Sequence, residues 1–175
     1  MKLIVYRIVL VMMIFSLALS QPVFGRTGSS VQAAAGDVEV TILHTNDFHG
    51  TLDPSVSSNY PGAARIAAKI KGIVTAKGAD NVLLLDGGDM YQGSLLSNIK
   101  KGVPTIDYYK YMGYDAVTLG NHEFDWGQTI LGDRAAQAAD TTDPTLAAFP
   151  FVSSNIVKKS GDGTCTGWES PTFAV

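Results

Sequence analysis

One cysteine and three histidines are all that this chain of 175 residues holds of the side chains that most often form cross-links or bind transition metals. The lone Cys165 excludes an internal disulfide. In an exported chain it leaves two readings, a partner beyond Val175 or a free thiol in a loop. Bilayer-length apolar runs are missing too: the longest stretch, Ile8 to Leu19, is too short to span the hydrocarbon core comfortably. Basic residues are scarce, 13 Lys and Arg against 16 Asp and Glu. Without Lys2 and Arg7 the balance is 11 to 16 and the net charge is near −5, which argues against a non-specific binder of nucleic-acid polymers. Any phosphate bound here therefore needs metal ions for its positive charge. Internal repeats, low-complexity blocks and heptads are absent as well.

The N-terminus has the layout of a secretory signal peptide: Lys2 and Arg7, the Ile8 to Leu19 run, then small residues. Residues 1–25 are assigned to it, with cleavage after Ser20, Gly25 or as late as Ala35. The alternative is an uncleaved membrane anchor, and either way the folded part lies outside the cytoplasm, in the periplasm, at the cell wall or in the medium. Residues 26–37 are small and polar and read as a flexible linker. Residues 38–175 then make one domain with a core of ordinary size.

From Val38 onward strand-like and helix-like segments alternate, the pattern of parallel βαβ units in an α/β fold. Val38 to Thr45 is the first strand. Gly62 to Lys77 spaces Ala63, Ile66, Ala67, Ile70, Ile73 and Val74 as a helix, with Gly78 as its stop. Val82 to Leu85 is a short continuous apolar run, as in a strand buried on both faces. Pro104 and Gly113 bracket a second helix, Ala116 to Leu119 is a third strand, residues 128–139 a third helix, and Phe149 to Ser154 a fourth strand. The tail from Lys158 shows only a turn signal at Gly161-Asp162-Gly163.

Three polar motifs follow the first three strands, on the sheet edge where open α/β folds bind ligands. In Asp47-Phe48-His49 the two outer side chains are two apart, so in extended backbone both leave one face and can grip one ion. In Asp86-Gly87-Gly88-Asp89 the glycines permit close approach of the chain to bound groups. A carboxylate there can bridge two cations about 3.5–4 Å apart, and Asp89 is assigned that bridge. Asp86, nearer the strand, is expected to fix the loop through backbone hydrogen bonds. In Gly120-Asn121-His122-Glu123-Phe124-Asp125, Asn121 offers a neutral oxygen to a cation, while Asp125 can orient His122 as a general acid or electrostatic stabiliser. His44, inside the first strand, reads as a packed or hydrogen-bonded residue rather than a ligand. Bland readings exist for each motif alone, but three strand-end motifs together point to half of a two-metal hydrolase site. With histidines only at positions 44, 49 and 122, the chain is expected to be the N-terminal piece of a longer enzyme and inactive alone.

The segments Ile42 to Gly50, Leu85 to Gly93 and Gly113 to Asp125 resemble the bacterial 5′-nucleotidase family of calcineurin-like metallophosphoesterases, a likeness that runs from about Val38 to Asn155. The resemblance implies a layered α/β/β/α metallophosphatase domain, here incomplete at its C-terminus. It implies that Asp47 and His49 hold one metal, that Asp89 bridges, that Asn121 holds the second, and that His122, with Asp125 as partner, stabilises the transition state. Asn121 and His122 would also meet the substrate. The cofactors would be two divalent ions, manganese, zinc, iron or cobalt. The substrate would be a small nucleotide, a nucleoside monophosphate split into nucleoside and phosphate. Alternatives are a 2′,3′-cyclic nucleotide phosphodiesterase, a nucleotide-sugar hydrolase, or a non-catalytic exported module if the chain ends at Val175. A membrane would be met only through an uncleaved signal or a C-terminal anchor further along.

Overall fold

The computed structural model describes residues 36–55, 59–154 and 156. Residues 1–25, read above as a signal peptide, most of the expected 26–37 linker, Cys165 and the expected turn at residues 161–163 lie outside the described residues. Among the described residues no helix is long and apolar enough to cross a membrane.

Four strands form one parallel sheet in chain order: β1 Thr41–Thr45, β2 Val82–Asp86, β3 Ala116–Thr118 and β4 Phe151–Val152. Helix α1, Gly62–Lys77, joins β1 to β2, and α2, Leu95–Ile99, with α3, Val103–Met112, joins β2 to β3. Helix α4, Gly127–Ala139, precedes β4. The bounds of α1 are those its apolar spacing predicts, and Gly78 ends it at φ 84°, its N–H bonded to the Val74 carbonyl at 2.9 Å. Helix α3 starts at Val103 with Pro104 in its first turn, where a missing N–H costs nothing, and Gly113 closes it at φ 73° in the left-handed region.

The outer strands are shorter than their sequence suggests, for a reason visible in the ladder. A parallel strand extends only as far as its partner, and Thr41 pairs with Val82, where β2 opens after a 3-10 turn at Ala79–Asn81. Residues 38–40 therefore have nothing to pair with on that side. Likewise β4 is held to two residues by the three-residue β3, to which Pro150 contributes only its carbonyl, accepting from Val117 N–H at 3.1 Å. The helix α2 has no apolar period to announce it, since Leu95, Leu96 and Ile99 are all exposed. Its one sequence signal is Ser94, whose side chain caps Ser97 N–H.

Neighbouring strands in chain order, joined by right-handed crossovers, place every crossover helix on the same face of the sheet. Leu84, Asp86, Val117 and Phe151 point to that face and are buried. Beneath the helices lies an aromatic core: Tyr109 of α3 stacks on Tyr114 at 4.2 Å and meets Phe48 and Phe149 at 5.8 and 6.1 Å. The opposite face carries Ile42, 62% exposed, and Leu83 and Val152, 37% and 40% exposed. No element among the described residues covers it, and the second sheet of an α/β/β/α arrangement is not among them. His44 lies on this face and is exposed, so it is not packed, the first of the two readings of its sequence position, and it is outside the group of possible metal ligands. The continuous apolar run of β2 is accordingly half open, with Leu83 facing outward.

Candidate metal centre

The chain leaves β1, β2 and β3 at the same edge of the sheet, and the loops after β1 and β2 stay tied beyond the strands. Asp47 N–H donates to Gly88 C=O at 3.0 Å, His49 N–H to Asp89 C=O at 2.9 Å and Gly50 N–H to Met90 C=O at 2.8 Å. The extended backbone expected at Asp47-Phe48-His49 is not what forms. Asp47 and His49 both sit in the left-handed region, φ 53° and 50°, as does Asp89 at 55°. Each such residue costs about 1–2 kcal/mol against the right-handed alternative. Three of the five described non-glycine residues with positive φ are thus candidate ligands, the clustering of strain that marks functional sites. The double reversal drives Phe48 into the core, stacked on Tyr108 at 5.4 Å, and leaves Asp47 and His49 facing outward.

Ligand atoms of His49, Asp89 and His122 lie within 4.8 Å of one another. The His49 ring is already oriented: its Nδ1 lies 2.7 Å from the Gln92 carbonyl, which can only accept, so Nδ1 carries the proton and Nε2 keeps its lone pair for a cation. His122 is set in the same way, with Nδ1 2.7 Å from Asp125 Oδ2 and Nε2 free, and its ring meets that of His49 edge-on at 5.1 Å. The hydrogen bond that His122 donates to Asp125 raises the His122 pKa above 6.5, partial burial opposes it, and the charges of Asp125, Asp89 and Glu123 add to the rise. Asp89 Oδ1 accepts from His122 N–H at 2.9 Å, which leaves Oδ2 available to a ligand.

Asp47 stands outside this trio, its Oδ1 4.0 Å from His49 Nε2, and its Oδ2 accepts from the Asn46 side chain. Asn121 is exposed and opens the 3-10 turn His122–Phe124 that follows β3, one residue before His122. Asp86 is no ligand. It is buried, accepting from Gly88 N–H at 2.8 Å as the loop requires, and also from the hydroxyls of Tyr109 at 2.9 Å and Thr45 at 2.5 Å. Burial pushes its carboxyl pKa up, against the pull of those three bonds.

Sequence reasoning passed over Glu123. Its carboxylate is 1% exposed and takes three backbone N–H groups: Asp89 at 2.8 Å, Met90 at 2.9 Å and Gly120 at 2.7 Å. The bond to Gly120 reaches back three residues, as the Glu of a capping box does, and a Gly-x-x-Glu pattern before a short turn is the signal that could have found it. Beside His49 a cavity of about 460 Å³ opens, lined by Thr51, Pro54, Tyr60, Leu95 and Leu96 among others.

Residues 40–165 match the model of the calcineurin-like phosphoesterase family. The chain belongs to that family. In this phosphoesterase His49 and Asp89 are candidate ligands of a divalent metal, and His122 stands within reach of the same place. The chain is 38% identical over 141 residues to a snake venom 5′-nucleotidase of Gloydius brevicauda, covering 75% of the chain and 22% of the relative. It is also 38% identical over 143 residues to a 5′-nucleotidase of Homo sapiens, covering 75% of the chain and 23% of the relative. In three dimensions it is similar to a 5′-nucleotidase precursor of Thermus thermophilus, with a TM-score of 0.54 at 35% identity, covering 66% of this chain and 22% of that one. The phosphoesterase chain thus spans under a quarter of the length of these relatives.

Proposed function

We propose that the complete protein hydrolyses nucleotide phosphate monoesters as a 5′-nucleotidase does, with two divalent ions as cofactors. The observation that carries this reading is the convergence of His49, Asp89 and His122 at the C-terminal edge of the sheet, each ring nitrogen not facing the site already satisfied. The likeness to 5′-nucleotidases supports the substrate class. Asp47 and His49 are the residues that would hold one ion, Asp89 would be shared, and Asn121 would serve the other. When bound, the pair supplies Lewis acidity toward the phosphoryl oxygens and the attacking water.

The chain's own residues do the rest. His122, its Nδ1–H bonded to Asp125, which favours the protonated ring, presents Nε2–H to the negative charge that develops on the phosphoryl group or on the leaving oxygen. Asp125 keeps that ring in one tautomer. The cavity beside His49, with Tyr60, Leu95 and Leu96 in its wall, gives the nucleoside leaving group a place next to the phosphate. Export is supported by the signal-like N-terminus and by a venom relative.

The test is phosphate release by the full-length protein with manganese, using AMP, a 2′,3′-cyclic nucleotide and a nucleotide sugar in parallel. Fastest turnover of AMP is the expected result, while preference for either of the others moves the assignment within the family. Absence of turnover on all three, together with weak metal uptake, would sink the enzymatic reading in favour of a binding module.

A further inference from the structure

Glu123 is a buried carboxylate with no cation partner among the described residues. Among the described residues its neighbours are three backbone N–H groups, drawn from two loops that each carry a proposed ligand. On the β2 side these are Asp89 itself and Met90; on the β3 side it is Gly120, the residue before Asn121. Asp89 answers with its own carboxylate, which takes the N–H of His122 at 2.9 Å, so the two loops are joined by reciprocal carboxylate–amide bonds. Glu123 is fastened in turn, because its carbonyl accepts from the Tyr91 hydroxyl at 2.9 Å and Tyr91 stacks on Trp126 at 5.4 Å. With both oxygens occupied and the side chain out of solvent, Glu123 cannot be a metal ligand.

We propose that Glu123 is a positioning residue of the metal centre: by gripping the backbone of Asp89 and of Gly120 it sets the separation between the shared carboxylate and the Asn121 side of the site. The inference rests on the metal-centre reading given above. Only an ionised carboxylate suits the place. It accepts without donating, whereas an amide must turn its NH2 toward at least one of the three N–H groups. Asp89 has the most to lose from slack here, since its left-handed backbone is a conformation that surrounding bonds must enforce.

The test compares the full-length protein with Glu123→Gln, Glu123→Asp and Leu131→Ala, the last a change at a buried core residue of α4 that is neither a proposed ligand nor bonded to one. Manganese affinity by calorimetry, thermal unfolding of the metal-free protein, and kcat and KM on AMP are read for each. Glu123→Gln is expected to weaken manganese binding about 10- to 100-fold, the usual effect of losing an outer-shell partner, and to lower kcat at saturating metal by a similar factor with KM little changed. Glu123→Asp, which keeps the charge, should recover part of both. Leu131→Ala should lower the unfolding temperature alone. If Glu123→Gln unfolds early yet binds manganese and turns over as the wild type does, the carboxylate is merely structural and the proposal falls. If Glu123→Gln does not fold, wild-type affinity in Glu123→Asp overturns it instead. A wild-type protein that takes up no manganese refutes the metal-centre reading, a distinct failure.

Discussion

His122 donates Nδ1–H to Asp125 Oδ2 across 2.7 Å, and a single 3-10 turn, His122–Phe124, holds the two residues in register. The bond leaves one ring nitrogen for chemistry and favours the protonated imidazole. Replacing His122 by Ala in the full-length protein should therefore lower kcat about 10²- to 10⁴-fold, the usual worth of a positioned acid or base. Metal content by elemental analysis should stay near that of the wild type. Asp125→Asn should cost less, at least about tenfold, because the ring remains but its tautomer is no longer enforced. Unchanged turnover in His122→Ala would remove it from the chemistry.

His49 differs from His122 in what its second nitrogen meets. The Gln92 carbonyl fixes Nδ1 as the donor, where Asp125 does so for His122. His49→Ala is expected to reduce bound manganese per molecule, read by elemental analysis after dialysis, and to lose activity with it. Retention of full metal content in that variant would show that His49 is not a ligand.

The motif residues were legible because each follows an apolar run that ends at one sheet edge, so strand periodicity alone delivers Asp47, Asp86 and Asn121 to the same side. The local backbone was not. Nothing in Asp-Phe-His announces two left-handed residues, because those conformations are imposed by the ladder of bonds to Gly88, Asp89 and Met90, in a distant stretch of the chain. Glu123 was hidden for the opposite reason. A glutamate beside a histidine looks like a solvent-facing or ligating group, and its burial follows from N–H groups whose positions only the fold brings together. The outward face of the sheet was misread at His44 and Leu83 because a run of apolar residues does not tell which face the helices take.

Gly88 and Gly113 both have positive φ, 97° and 73°, yet they should not be equally sensitive. A Cβ on Gly88 would lie 2.9 Å from Gly120 Cα and 3.0 Å from the Leu119 carbonyl carbon, backbone atoms that cannot swing aside. A Cβ on Gly113 meets nothing within 4 Å. Gly113→Ala is expected to cost about 1 kcal/mol, the conformational penalty alone. Gly88→Ala should cost about 1–3 kcal/mol more through overpacking, and should pull Asp89 and Gly120 apart. Chemical denaturation of the metal-free protein checks the order, and equal losses would mean that the two strand-end loops separate freely.

Asp86 gives a pH dependence whose sign can be worked out. Burial raises its carboxyl pKa above the ordinary 3.8, and the bonds from Thr45, Gly88 and Tyr109 only partly offset that rise. The folded state then holds a proton that the unfolded state has released, so between the two pKa values stability falls as pH rises. The penalty is absent below the ordinary value and complete once pH exceeds the folded one. Asp86→Asn cannot titrate, so the stability of wild type minus that of the variant should decline as pH is raised from about 4 toward neutrality. Glu123, raised by burial in the same direction, contributes equally to both proteins and cancels in the difference. The measurement is denaturant unfolding of both proteins in a chelator across that range. A difference that grows with pH would mean that the three hydrogen bonds outweigh burial and that the Asp86 carboxyl is a better acid in the folded protein than outside it.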